Sequence, residues 1–413
     1  MAATPESPDA PPGQLVTLRK KLNPLYAQLF DDVFDRPEVV ETRATCDTCA
    51  MCDQGQLAPV AMDYFAPDAK CCTYHPALPN YAVGAILADT GEELAEGRKR
   101  LRARIAARIG VTPGFIAPPR KYNVIYSAGR GNGFFGRAKS MLCPYFDVEN
   151  DGRCTVWQYR EAVCSTYFCK HTGGKPGFLF WDVLKSYLSH VERGLSHFSA
   201  LSVDPAMSEP TGDRFSLTKE DIEDLPPNDA DYAQYWGGGK WVGREEEFYI
   251  ACYEKVRGLS RKEFAQNMDE SPDGRALLAK LAERYDAIPA KETPSSLVLV
   301  RGDQLRKRVT DDAVIVATYN AFDAFSIEKE LFEVLGMLKP EETLEQNLAR
   351  LDKEHDVQLA PELLHYLFVH GVLVEPEASK DAAEKEKRAA LKPPVILTTR
   401  QQRRAAKRKE RGR

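Results

Sequence analysis

Long apolar runs are missing from this chain. None approaches the roughly 20 residues that a membrane-spanning helix needs, and 28% of the residues are charged. The opening Met-Ala-Ala-Thr-Pro-Glu-Ser-Pro-Asp-Ala-Pro-Pro lacks a basic start followed by an apolar stretch. No secretory signal is therefore expected, and a reducing cytoplasmic setting follows, in which disulfides are uncommon. No Walker motif, no HExxH and no GxSxG occurs, which removes the standard signatures of P-loop, zincin and α/β-hydrolase chemistry. No internal repeat is present. Cysteine, too, is scarce over most of the length: outside residues 46–169, the remaining 289 residues hold Cys252 alone.

What is present is enough chain for two or three domains, 413 residues with 43% apolar content. Charge is uneven. Arg400 to Arg413 contain eight Lys or Arg and one Glu, a net of +7, so the other 399 residues sum to −12. A body this acidic argues against general nucleic-acid binding, leaving only the basic tail for such contacts. That tail otherwise reads as a solvated terminus.

The expected fold class is mainly α with small β elements (α+β). Residues 1–14 are rich in Pro, Ala and Asp and read as disordered. Residues 15–205 form a cysteine-rich region closed by a helix, whose Trp181, Leu184, Leu188, Val191, Leu195 and Phe198 recur at three or four residues. Residues 206–290 carry an acidic linker, Ser208 to Asp231, then helices near Arg244–Arg257, Arg261–Asn267 and Gly274–Ala287. Residues 291–376 open with strands at Leu297–Val300 and Ala313–Ala317. Three helical faces follow: Ile327, Leu331, Val334, Leu335 and Leu338; Leu344, Leu348 and Leu351; Leu363, Leu364, Leu367 and Phe368. Gly371 stops the last helix and Val372–Val374 returns as a strand. Two short strands, three helices and a closing strand spell a winged-helix-like domain. Residues 377–413 are the basic tail.

Nine of ten cysteines fall between residues 46 and 169. Cys46, Cys49 and Cys52 follow a C-x2-C-x2-C spacing; Cys71 and Cys72 are adjacent; Cys143, Cys154, Cys164 and Cys169 come last. Two intervening residues let a tight turn aim two sulfurs at one metal, and soft thiolates favour zinc or iron–sulfur clusters. A single zinc, or a cubane cluster, uses four ligands. Nine exceed either need, so two centres or one larger cluster are expected. Buried apolar cysteines are the plain alternative, but chance burial does not produce a C-x2-C-x2-C triplet with an adjacent pair. Cys252, on a helical face with Tyr249 and Val256, reads as core.

The residues Cys143-Pro144-Tyr145-Phe146, Cys154-Thr155-Val156-Trp157-Gln158-Tyr159-Arg160, Cys164 and Cys169 resemble the YkgJ-type CxxCxxCC family, described as zinc- or iron-chelating. Glu161 stands where that family has Pro, and Phe168 where a Pro is common. In front, Asp53 stands where the pattern wants a fourth cysteine, and the pair appears as Cys71–Cys72, as if an insertion had split the motif. The resemblance covers about 125 residues. It implies a metal-binding protein, with an iron–sulfur cluster, 4Fe–4S by preference, or Zn2+ as alternative. Arg160 is expected in a buried pair or donating to sulfur, and Trp157, Tyr167 and Phe168 as a wall excluding water. His75 and His171 are candidate extra ligands, with surface positions as the plain reading.

Two further motifs were weighed. Gly131-Asn132-Gly133-Phe134-Phe135-Gly136 spells GxGxxG after a strand-like Tyr122–Ser127, but leaves no room for the long helix of a dinucleotide site before Cys143. A glycine loop beside the metal is expected. Trp236-Gly237-Gly238-Gly239-Lys240-Trp241 reads as an exposed turn or lid. The C-terminal region loosely resembles PqqD-like winged-helix modules, which implies a protein or peptide partner; its Glu328, Glu330, Glu333, Glu341 and Glu342 argue against a DNA reader. The functional expectation is therefore a redox, sensory or structural metal protein. The alternatives are a protein-modifying enzyme similar to flagellin lysine N-methylases, which carry a similar cysteine module, and a structural zinc protein.

Overall fold

The computed structural model describes residues 17–37, 39, 49–52, 63–129, 133–150, 152–207, 217–288, 292–300 and 305–378. The expected disordered start (1–14), Cys46, Gly131–Asn132, most of the linker's first half and the basic tail lie outside the described residues. The chain divides into two units. The first comprises residues 1–291 and 319–325, the second residues 292–318 and 326–413. The fold is mainly helical with small antiparallel sheets, as its composition of apolar periods suggests.

The first unit is built around a helix buried on nearly every face. In α1 (Asn80–Ala88), all residues from Asn80 to Leu87 are buried. Such a helix needs its few polar groups satisfied internally. The Asn80 amide donates to the carbonyls of Pro113 (2.9 Å) and Ser196 (3.0 Å), and its oxygen accepts from the Ser199 hydroxyl (3.0 Å). The short strands β1 (Leu78–Pro79) and β2 (Phe115–Ile116) pair just ahead of it. Between them run α2 (Ala95–Ala107) and the Val111–Phe115 turn; α3 (Arg120–Gly129) follows. The expected strand at Tyr122–Ser127 is therefore a helix. Tyr122 and Tyr126, one turn apart, stack at 5.6 Å and 16°, an i,i+4 contact that extended chain cannot make.

Two-residue strands β3 (Phe146–Asp147) and β4 (Arg153–Cys154) pair across a turn, and the short α4 (Ala162–Thr166) follows. Then comes α5 (Gly174–Val203), whose 30 residues span about 45 Å. Its buried stripe includes Trp181, Leu184, Leu188, Val191 and Leu195, as the periodicity predicts. Each such side chain contributes roughly 1.5–3 kcal/mol on full burial. α6 (Glu245–Arg257) and α7 (Pro272–Asp286) complete the bundle: α6 packs on α1 and α5, and α7 on α5. The α1–α6 contact depends on one glycine. A Cβ on Gly84 would lie 1.9 Å from the Tyr249 carbonyl oxygen. The Trp236–Trp241 segment is a turn as expected, exposed at Gly238 and Lys240 but anchored at its ends. Trp236 is fully buried, and Lys240 and the Trp241 indole both bond Asp204.

In the second unit, β5 (Val298–Leu299) pairs with β9 (Leu373–Val374), while β6 (Arg306–Val309), β7 (Ala313–Ala317) and β8 (Phe325–Glu328) form an antiparallel sheet in that order. The helices are α8 (Lys329–Gly336), α9 (Leu344–His355) and α10 (Pro361–Val369). Ile327, expected on a helix, lies in β8; the period of three or four holds only from Leu331 onward. Gly371, at φ +70°, ends the last helix as expected.

Candidate metal centre

Eight of the nine clustered cysteines are described, all as free thiols. Regular structure does little to place them. Cys49 and Cys52 sit on one tight turn, with the Cys52 amide donating to the Cys49 carbonyl at 3.0 Å. Their thiols share a hydrogen bond, and burial followed by the neighbouring Cys49 pushes Cys52 up to about 12. Cys71 and Cys72 lie on a 3-10 turn, Lys70–Thr73. Cys154 is in β4 opposite Phe146, Cys164 is in α4, and Cys169 follows that helix.

These thiols fall into two groups. Cys52 and Cys169 share a small apolar cluster with Met51 and Phe65, against which Cys49, Cys71, Phe135, Tyr167 and Phe322 pack. Cys143 belongs instead to the main core, with Cys72 and Cys154 packed against it. Charge proximity follows this line only in part, since Cys143 also faces Cys71. Cys169 faces Cys71 and Cys49, whereas Cys164 faces Cys143 and Cys154. The boundary runs through the peptide bond between Cys71 and Cys72. Their thiols hydrogen-bond one another, which lowers Cys71 and raises Cys72.

The front group is closed by a segment from far along the chain. Asn320 donates to the Cys169 carbonyl (3.3 Å), Lys170 to the Ala324 carbonyl (2.8 Å), and the His171 amide to Asp323 (3.0 Å). These contacts hold Phe322 against Phe65 at 5.3 Å and Phe135 at 5.6 Å. The back group is tied by backbone and by Glu161. Cys143 donates its amide to the Cys72 carbonyl at 2.7 Å. Glu161 accepts from Tyr74 at 2.8 Å and caps α4 at the Cys164 amide; burial pushes it up to about 7. A Pro at 161 would give up this cap.

Among the described residues, no three Cys, His, Asp or Glu side chains converge closely enough to hold one metal ion. The donor chemistry fits a soft metal, being two pools of thiols of which Cys52, Cys143 and Cys169 are buried and the other five half-buried, but a Zn–S bond is about 2.3 Å. Ligation therefore requires cysteine rotamer changes, and in the front group Cys46 is a further candidate that lies outside the described residues.

Several expected neighbours are placed differently. His75 and His171 are buried, not surface. His171 faces Asp323 at 3.6 Å, and His75 lies between Tyr122 and Tyr145. Arg160 makes no bidentate ion pair. It lies 3.4 Å over the Trp157 ring and donates to the Trp157 and Cys164 carbonyls. Trp157 is 46% exposed and walls nothing. Phe168 packs on Trp181 against the main core that also carries Cys143, and Tyr167 packs against the front group. Cys252 is core, as expected, facing Ser199. Gly136 lies beside the front group: at φ +78°, its Cβ would meet the Phe65 ring at 2.1 Å.

A pocket of about 190 Å3 adjoins the front group, walled by the rings of Tyr126, Phe134, Phe135, Tyr167 and Phe322. Thr73 and Met141 complete its lining. Sequence reasoning missed this pocket because Phe322 reaches it from 150 residues downstream, and no local pattern marks Phe322 or the Asp323 that anchors it.

No family model, no curated protein and no solved structure matches this chain.

Proposed function

We propose that this chain is a metal-binding protein with two thiolate-ligated centres, preferentially iron–sulfur. Cys46, Cys49, Cys52, Cys71 and Cys169 serve the front centre, and Cys72, Cys143, Cys154 and Cys164 the back one. The observation that carries the reading is the packing of Cys49, Cys52, Cys71 and Cys169 about one apolar cluster and of Cys72, Cys143 and Cys154 at the main core, with Cys164 facing Cys143 and Cys154. Four thiolates are what a zinc or a cubane cluster takes, and the YkgJ-like residues support the same chemistry. A bound cluster would supply one-electron transfer, whereas zinc would supply only a cross-link. The chain's own contribution is to bury the sulfurs: Phe65, Phe135 and Tyr167 over the front set, Tyr145 and Val156 in the core that carries the back set. A low-dielectric shell of this kind tunes a cluster's potential.

The second unit supports a peptide-contacting role. β6 is an edge strand among the described strands, with Arg306, Lys307 and Arg308 all exposed. An edge strand can accept an extended acidic peptide by strand addition. No helix among the described residues is long and apolar enough to cross a membrane. The enzymatic reading, a protein-modifying activity similar to flagellin lysine N-methylases, is favoured by one observation, the pocket beside the front group.

Anaerobic purification with iron, sulfide and zinc analysis tests the proposal. Two centres predict that Cys52→Ser and Cys154→Ser each lose about half the metal, and that Cys252→Ser loses none. Colourless protein with stoichiometric zinc and no sulfide would overturn the choice of metal. Metal-free protein, or complete loss of metal from either single variant, would overturn the two-centre reading.

A further inference from the structure

The pocket beside the front thiols has a size and a lining that select among ligands. Its roughly 190 Å3 falls short of the about 300–1,000 Å3 of sites for drug-sized molecules. It exceeds the roughly 150 Å3 cavity that accommodates benzene. One ring-sized group fits; a nucleotide does not. None of its lining residues is ionisable at neutral pH, since the wall is Thr73, Met141 and five aromatic rings. No cationic side chain lines it to neutralise an anion; its polar groups are the hydroxyls of Thr73, Tyr126 and Tyr167.

The rings also discriminate against a bare cation. Phe135 lies at 73° to Tyr167 and at 50° to Phe322, with centroids 5.5 and 5.6 Å apart. Rings so inclined line a space with positive edges as well as negative faces. That arrangement suits another ring, edge to face, and not an ammonium that needs faces alone. Phe134, 46% exposed, is a large aromatic left in solvent on the pocket's wall, where an entering ring can cover it.

We infer that this pocket binds a single neutral aromatic ring, presented by a free small molecule or by a Phe or Tyr side chain of a peptide. The inference rests on the pocket's lining and does not require the metal reading.

The test titrates the full-length protein with three compounds of one skeleton: p-cresol, 4-methylbenzylamine (cationic at pH 7) and p-toluate (anionic). The 13C-methyl signal of Met141 reports binding, and metal content is measured in the same samples. p-Cresol is expected to shift the Met141 signal saturably, with at least tenfold tighter binding than either charged compound. Met141→Trp, which fills the pocket and removes that reporter, is read instead from saturation transfer to the p-cresol methyl, and is expected to weaken p-cresol binding at least tenfold while the thermal midpoint is retained. Phe322→Ala provides a second variant that opens the wall. A capped Gly-Tyr-Gly peptide competing with p-cresol would assign the ring to a peptide, and failure to compete to a small molecule. Tighter binding of the benzylamine, or no saturable shift with p-cresol, overturns the inference whatever the metal content proves to be.

Discussion

The first unit contains two regions held together by different means. In the bundle of α1, α5 and α6, helices bury continuous apolar faces, and the buried Asn80 amide is bonded across to Pro113 and Ser196. In the thiol-bearing region, the elements are two-residue strands, 3-10 turns and one five-residue helix. Regular hydrogen bonding contributes little there. The segments are instead positioned by cysteine–cysteine contacts, aromatic edges and chain returning from residues 319–325. The bundle can be stable by burial alone, whereas on the proposed reading the thiol region would gain order from a bound metal. That contrast is open to direct attack.

The largest effect is expected in the bundle. Gly84→Ala places a methyl 1.9 Å from a backbone oxygen that cannot move without parting α1 from α6. A loss of about 3 kcal/mol is expected, measured by urea unfolding, with or without metal. A loss below 1 kcal/mol would show that the bundle is not the rigid partner in the comparison.

Gly136→Ala asks the same question of the thiol region. It combines a positive φ with a clash against Phe65, worth about 1–3 kcal/mol. Hydrogen exchange should quicken in residues 49–52 and 65–73 and stay unchanged in α1, α5 and α6. Equal quickening throughout would merge the two regions into one cooperative body.

A smaller effect lies in pH. Burial, with Arg104 nearby, holds His75 down from 6.5 to about 3. Above pH 6.5 both folded and unfolded chains carry it neutral. Below 6.5 the unfolded chain takes up a proton that the folded one refuses, so stability falls by about 1.4 kcal/mol per pH unit until about pH 3. His75→Gln should flatten this arm between pH 6.5 and 5.5, read as urea midpoints. An unchanged slope would assign the acid sensitivity elsewhere.

Legibility in the sequence divides along the same line. α5 and the stop at Gly371 follow from periodicity and backbone chemistry, because one has a buried face and the other a special φ; β7 is legible from its short apolar Val-Ile-Val run, being buried at four residues in succession. α1 carries no period, since burial on all sides erases the polar face that periodicity detects. Tyr122 to Ser127 is rich in aromatic and β-branched residues and so reads as strand, yet it is helical because Tyr122 and Tyr126 stack one turn apart. The cysteine spacing marked a metal-binding candidate. It could not assign Cys71 and Cys72 to different groups, because adjacency in sequence conceals opposite packing. Nor could it foresee Phe322, which reaches the front group only through tertiary structure.

The adjacency of Cys71 and Cys72 also sets how this chain can vary. Lengthening a surface connection costs little, about 0.6 kcal/mol for each doubling, so the stretches between the other cysteines can gain or lose residues while their sulfurs return to place. Between positions 71 and 72 a single Cα–Cα step of about 3.8 Å joins the two groups. One inserted residue there would put both groups out of register at once, so this bond has none of the slack that the longer connections between the other cysteines have.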